Sequence, residues 1–193
     1  MSGRLVYVMG PSGAGKDSVL GWMQSELAPG SRLHWARRTI TRDAQAGGEA
    51  HEPVTPQAFA ALLSEGAFAM HWRANGLDYG IRTGELAALE RGAWVMVNGS
   101  RAYFSQAWSR FPGLTGLHIT ADAPTLSRRL LARGRESEEE VRLRVERAAA
   151  FRPPPGVIEV RNEGNLADAG RQALQALSCL PGWPAVMGRQ PRD

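Results

Sequence analysis

The sequence predicts an α/β fold built on a mostly parallel sheet flanked by helices, and its features agree on this. Strand-like and helix-like segments alternate from residue 4 to residue 177, with no internal repeat. The first strand-like segment runs into Gly10-Pro11-Ser12-Gly13-Ala14-Gly15-Lys16, which opens a helix. This is the strand, loop and helix order that a phosphate-binding loop requires. A chain of 193 residues is long enough for one well-buried α/β domain and too short for two comfortable ones.

Each element has its own signal. Residues 4–9 form a short apolar run and read as a buried strand, and residues 18–27 read as the helix behind the loop. Residues 33–38 are a second strand candidate, followed by the glycine-bearing stretch 42–53. With Thr55 as a cap and Pro56 in the first turn, residues 56–63 read as a helix. Residues 68–72 and 79–82 are extended segments around the Asn75-Gly76 turn, 83–90 reads as helix, and 93–97 is a strong central strand. Residues 114–120 are a further strand, and 124–132 a helix interrupted at Gly134. The helix at 138–151 carries charges of both signs and is ended by Pro153-Pro154-Pro155. Residues 157–160 and 166–177 supply the last strand and helix. The proline-, glycine- and arginine-rich segment 181–193 reads as a poorly ordered tail behind a folded domain at 1–180.

Lys16 is the only lysine in the chain; every other basic side chain of the Lys and Arg class is arginine, as at Arg37, Arg128 and Arg129. A compact, flexible ammonium reaches between phosphates where a planar guanidinium has the wrong shape. The loop's glycines let backbone N–H groups turn inward at a helix N-terminus, where the dipole also favours negative charge. A triphosphate is the natural occupant of Gly10, Pro11, Ser12, Gly13, Ala14, Gly15, Lys16, Asp17 and Ser18. Asp17 stands where a serine or threonine normally offers a hydroxyl to Mg²⁺. Its carboxylate can serve that ion directly or through a bound water, with Ser18 the weaker candidate; an aspartate there can also simply cap the helix.

Composition narrows the function further. The formal net charge is +4, but the arginines form no basic arm with interleaved aromatics, so anionic small molecules suit the charge better than nucleic acid. The single Cys179 excludes an internal disulfide framework and a multi-cysteine zinc site. No apolar run approaches the length that crosses a bilayer, and no secretory pattern precedes the first strand. The sequence predicts a cytoplasmic setting without membrane partners and leaves a homodimer open.

Beyond the loop, arginines recur in groups. Arg37-Arg38-Thr39-Ile40-Thr41-Arg42 follows the second strand, Asp78-Tyr79-Gly80 follows the Asn75-Gly76 turn, and Arg133-Gly134-Arg135 precedes Arg142 and Arg144. Taken singly each arginine is most simply a solvated charge. Beside a phosphate loop they match what phosphoryl transfer needs, several cations to neutralise the transferred group and little else.

The order of the loop, Ile40-Thr41-Arg42, Asp78-Tyr79-Gly80, Arg133-Gly134-Arg135 with Glu138-Glu139-Glu140-Val141-Arg142-Leu143-Arg144, and Asn162 before a last helix resembles the guanylate kinase family over residues 4–178. The resemblance implies a P-loop kinase domain, a substrate region at 33–82 and a lid at 134–144. It also implies that Arg42 and Tyr79 hold the acceptor phosphate, that Arg133, Arg135 and Arg144 serve the transferring phosphates, and that Asn162 lies on the base side of ATP. Lys16, Arg135 and Arg144 are then the candidate catalytic residues.

The departures from that pattern are also informative. Gln45 replaces a second arginine, Asn98 replaces an acidic residue at the end of the central strand, and Ile81-Arg82 offers no small hydroxyl to a guanine. Gly15-Lys16-Asp17-Ser18, Gly47-Gly48-Glu49-Ala50-His51-Glu52, Gly76-Leu77-Asp78-Tyr79-Gly80-Ile81 and Val97-Asn98-Gly99-Ser100-Arg101 resemble a narrower branch, the ribose 1,5-bisphosphate phosphokinases of phosphonate catabolism. This resemblance implies ATP and Mg²⁺ as cofactors and a sugar bisphosphate as acceptor. Because a phosphate oxygen is already an anionic nucleophile, no general base is required, and none is evident. Glu49, His51 and Glu52 then line a sugar pocket or are ordinary polar loop residues. Arg38 or Arg37 grips the second phosphate, strand alternation sending only one of them to the site, and Arg101 is a further candidate. Trp72 and Trp94 read as core. A GMP kinase and a non-catalytic guanylate-kinase-like binding domain are the competing readings.

Overall fold

The alternation carries through to the computed structural model, which describes residues 4–28, 31–43, 50–134 and 136–184. In chain order the elements are β1 (Leu5–Met9), α1 (Lys16–Glu26), β2 (Leu33–Trp35), β3 (Arg38–Ile40), β4 (Glu52–Pro53), α2 (Pro56–Ser64), β5 (Phe68–Ala74) and β6 (Leu77–Arg82). A 3₁₀ helix at Thr83–Leu89 follows, then β7 (Trp94–Asn98), α3 (Phe104–Arg110), β8 (Thr115–Thr120), α4 (Ala123–Leu131), α5 (Glu138–Ala150), β9 (Ile158–Arg161) and α6 (Leu166–Ser178). The strand order of the larger sheet is β2-β7-β1-β8-β9. β1 is buried at every position, as a run of large apolar residues in a parallel sheet should be.

The described residues divide into two compact units. One takes the chain up to Tyr7 and Arg32–Leu114, and contains residues 33–82, read above as a substrate region; the other takes Val8–Ser31 and the chain from Thr115, and contains the phosphate loop and residues 134–144.

In the first unit β2 pairs with β7 in parallel, and a second sheet runs β4-β3-β6-β5. The expected single strand at 33–38 is therefore two strands in different sheets. The break falls at Ala36 and Arg37, whose backbone is held from outside: Ala36 N donates to Met96 O at 2.9 Å, and Arg37 N to Glu85 Oε2 at 3.0 Å. The β5–β6 hairpin turns at Asn75 and Gly76, both in the left-handed region (φ 52° and 76°), as the Asn-Gly pair predicts. The segment predicted helical at 83–90 is the tighter 3₁₀ form. The short helix α3 was not anticipated, although Phe104 and Ala107 at helical spacing are its buried face. Beneath the turn after β7, the fully buried Tyr7 accepts from Ser100 N at 2.9 Å and donates to Ser100 O at 3.0 Å. Burial pushes this phenol well above its usual range. Gly99 has no side chain because a Cβ would lie 2.0 Å from the Tyr7 ring.

In the second unit β8 pairs with β9 in parallel, α1 packs on α6, and α4 packs on α5. Leu126, Leu130 and Val141 bury the inner sides of α4 and α5, and Gly170 of α6 makes room for the Trp22 ring, 1.9 Å from where a Cβ would stand. Side chains close most of the longer helices at their N-termini. Thr55 caps α2, Asp122 caps α4, Ser137 with Glu140 forms a capping box on α5, and Asn165 caps α6. Among the described residues no helix is long and apolar enough to cross a membrane.

Candidate active site

The loop from Gly10 to Gly15 is shaped by residues that only glycine can replace. A Cβ on Gly10 would stand 1.9 Å from the carbonyl oxygen of Ile119, so the loop leaves β1 pressed against the backbone of β8. Gly15, at φ 78° and ψ 27°, is the N-cap of α1, and no side chain caps that helix. A helix N-terminus that no side chain caps suits an external anion, in contrast to α2, α4, α5 and α6, which carry side-chain caps. Asn162 follows β9 and is buried; its Nδ2 donates to Ala14 O at 2.8 Å, and a Cβ on Gly15 would be 2.5 Å from that nitrogen. The Asn162 amide is thus engaged with the loop backbone. Lys16 Nζ donates to Gly10 O at 2.9 Å and to Pro11 O at 3.3 Å, which curls the ammonium over the loop.

Arginines from the helices behind the loop converge on it. Arg144 of α5 donates from Nη1 to Ser12 Oγ at 3.1 Å, and its Nη2 lies 3.0 Å from Glu136 Oε1. Arg129 of α4 donates to Gly13 O at 3.3 Å. Arg144 therefore sits on the loop. Arg133 is exposed just past α4, and Arg135 lies outside the described residues. Sequence reasoning missed Glu136 and Arg129, because a charge near a loop in space leaves no local motif. Asp17 is exposed in the first turn of α1, and Ser18 beside it. A hard carboxylate oxygen one residue past Lys16 fits Mg²⁺, an ion usually held by one or two carboxylates together with phosphate oxygens.

The acceptor-side candidates lie in the first unit and are assembled by its smaller sheet. Pairing Ile40 with Tyr79 and Tyr79 with Trp72 puts Arg38, Ile40, Tyr79, Ile81 and Trp72 on one face. Tyr79 stacks on Trp72 with ring centroids 5.6 Å apart, and the guanidinium of Arg38 lies 5.4 Å above the Tyr79 ring. Trp72 also touches Tyr103 at 5.8 Å. Arg38 is thus the arginine that faces this cluster. Arg37 instead donates from Nη2 to His51 O at 2.8 Å. Ile81, read as a departure from guanine recognition, is fully buried.

Just beyond β3, Thr41 N donates to Asp78 O at 3.1 Å and Thr41 Oγ1 accepts from Asp78 N at 2.9 Å, fixing the segment that carries Arg42. Arg42 Nη2 is 3.3 Å from His51 Nδ1, and His51 Nε2 is 3.2 Å from Arg42 O. The tautomer with its hydrogen on Nε2 satisfies both contacts. On the opposite face Glu52 Oε2 accepts from Thr39 Oγ1 at 2.6 Å and from Arg82 Nε at 3.1 Å, while Oε1 accepts from Arg82 Nη2 at 2.7 Å. The Arg82 guanidinium and then the Thr39 hydroxyl hold the Glu52 carboxyl below its ordinary range. Alternation along β4 thus sends His51 and Glu52 different ways, and Glu52 is engaged in the sheet. Arg101 is half-buried in the turn between β7 and α3. Glu49, Gln45 and the rest of 44–49 lie outside the described residues.

No protein-family model matches the chain. A ribose 1,5-bisphosphate phosphokinase PhnN of Thiobacillus denitrificans is 42% identical over 177 residues, covering 91% of this chain and 93% of the relative. That of Pseudomonas fluorescens is 44% identical over 184 residues, covering 92% and 96%. The chain belongs to the ribose 1,5-bisphosphate phosphokinase family. Within the family, the PhnN of Laribacter hongkongensis is 48% identical over 177 residues; the match covers 92% of this chain but 43% of that longer relative. Among solved structures, a guanylate kinase from Anaplasma phagocytophilum superposes with a TM-score of 0.65 at 15% identity, covering 95% of this chain and 90% of that one. The fold of this family member is therefore guanylate kinase-like.

Proposed function

We propose that the chain transfers the γ-phosphoryl group of ATP to the 1-phosphate of ribose 1,5-bisphosphate, giving 5-phosphoribosyl 1-diphosphate and ADP. The observation that carries this reading is the 42% and 44% identity, over nearly the whole of both chains, to proteins named for that reaction. The geometry supports it. One set of residues suits a nucleoside triphosphate, and a separate set carries arginines suited to an anionic acceptor.

An oxygen of the acceptor's 1-phosphate attacks the γ-phosphorus, one P–O bond forms, the bond to the β–γ bridging oxygen breaks, and ADP carries away its electron pair. At neutral pH the attacking oxygen is already ionised, so the protein need not remove a proton. Its work is to orient and to neutralise charge. The backbone N–H groups of residues 10–18 cradle the triphosphate, and Lys16 exchanges the carbonyls of Gly10 and Pro11 for phosphate oxygens. Arg144, already on Ser12, meets the transferring group together with Arg133 and Arg135. Asp17 would hold Mg²⁺, whose charge offsets that of the β- and γ-oxygens. Asn162 supports the loop and the base side of the nucleotide through Ala14.

On the acceptor side Arg42 and Tyr79 hold the phosphate that is extended, Arg38 and Arg101 the other phosphate, and Glu49 borders the sugar. The reaction belongs in a cytoplasmic setting, and a homodimer is compatible with it.

ADP release from Mg-ATP, measured in parallel with ribose 1,5-bisphosphate and with GMP against a Lys16→Ala blank, tests the reading. Turnover with the sugar bisphosphate alone is expected. Turnover with GMP alone would overturn it in favour of a nucleoside monophosphate kinase. In the same assay Asp17→Asn should shift the Mg²⁺ requirement more than the affinity for ATP; an unchanged magnesium profile would leave Asp17 a first-turn residue only.

A further inference from the structure

We propose that His51 is a positioning residue that orients the Arg42 guanidinium for the acceptor phosphate, acting through Arg42 rather than on the sugar. The inference rests on the reading of Arg42 as an acceptor-phosphate ligand. Arg42 lies past the end of β3, so sheet pairing does not fix its side chain. A long arginine in that place needs a partner if it is to be held ready. His51 is that partner at two points. Its Nδ1 accepts from Arg42 Nη2 at 3.3 Å, and its Nε2–H donates to the Arg42 carbonyl at 3.2 Å.

The imidazole can clamp because it is itself held. His51 is 5% exposed, and its own carbonyl accepts from Arg37 Nη2 at 2.8 Å. Arg37 is anchored in turn through its backbone N–H to Glu85. The clamp leaves the guanidinium oriented but not saturated, since Arg42 Nε is buried with no hydrogen-bond partner among the described residues. A buried donor left so is costly unless something accepts from it, and a phosphate oxygen is the acceptor that suits a guanidinium.

The test is steady-state kinetics of the full chain with ATP and ribose 1,5-bisphosphate, for His51→Ala, His51→Asn, Arg42→Ala and the Arg42→Ala/His51→Ala double variant. His51→Ala should raise the acceptor KM about tenfold, the loss of one charge-assisted hydrogen bond, with the KM for ATP nearly unchanged. His51→Asn keeps a polar acceptor near the Nδ1 position and should recover much of that loss. In the Arg42→Ala background His51→Ala should change the acceptor KM no further.

Multiplying effects in the double variant would overturn the proposal, because His51 would then act independently of Arg42. A raised acceptor KM in Arg42→Ala beside an unchanged one in His51→Ala and His51→Asn would overturn the role of His51 alone. An unchanged acceptor KM in Arg42→Ala would remove the reading of Arg42, and the proposal with it. If His51→Ala fails to fold, His51→Asn alone and in the Arg42→Ala background carries the same comparison.

Discussion

The phosphate loop takes its shape from the consecutive residues 10–18, whereas the acceptor-side cluster brings Arg38, Tyr79 and Trp72 together through the pairing of β3 with β6 and of β6 with β5. In the loop the groups proposed to act are mostly backbone N–H donors, and side chains are excluded by contacts such as that of Gly10 with Ile119 O. In the cluster the groups proposed to act are side chains held by other side chains. The loop should therefore fail when its backbone or its one ammonium is altered, and the cluster should fail by degrees.

Lys16→Ala is the sharpest probe of this difference. It removes the only lysine without touching a buried apolar contact, so transfer should fall about a thousandfold or more while the melting temperature stays close to that of the parent. A circular dichroism melt alongside the ADP-release assay checks both halves of the statement. A rate within tenfold of the parent would mean that the arginines on the loop suffice, and the contrast between the regions would be lost.

Glycine-to-alanine substitution compares the regions on equal terms. At Gly10 the new methyl meets the Ile119 carbonyl, part of a central strand that cannot step aside. At Gly80 it meets the Phe68 ring at 2.4 Å, a side chain that can shift. Gly80→Ala should cost about 1–3 kcal/mol of stability, as overpacking usually does. Gly10→Ala should cost more and should abolish nucleotide binding in whatever fraction folds. Urea denaturation of both variants would decide the order, and equal losses would show that the loop tolerates more movement than its contacts suggest.

How much of this was legible beforehand follows from the same contrast. The loop, its flanking strand and helix, and the cap at Thr55 are local features, and local spacing encodes them. The break between β2 and β3 was not legible, because residues 33–38 read as one strand and the sheet changes only where Glu85 and Met96 bind the backbone. Glu136 on Arg144 and His51 on Arg42 were invisible for the same reason: the sequence separations say nothing of the pairing. Tyr7 reads as one more apolar strand residue, and only its hydroxyl on Ser100 sets it apart.

The smallest expected effect concerns the side of the acceptor sheet away from the Arg38–Tyr79 cluster, where Glu52 ties β4 to Thr39 of β3 and Arg82 of β6. The folded-state pKa of Glu52 is lowered from 4.5, first by Arg82 and then by Thr39. A lowered carboxylate pKa contributes stability that is fully present above the unfolded value and is lost as pH falls through the folded one. The carboxylate of Glu52 sets the window. Glu52→Gln should therefore destabilise at neutral pH by less than about 1 kcal/mol, since the pair is partly exposed and screened. The gap between variant and parent should narrow in acid, as the pH falls from the ordinary carboxylate range toward the lowered folded value, where the parent's carboxylate also becomes neutral. Urea midpoints at pH 7 and pH 3.5 measure both values. A gap that widens in acid would mean that Glu52 supports the sheet by packing rather than by charge, and the acceptor region would then resemble the loop in depending on shape more than on paired side chains.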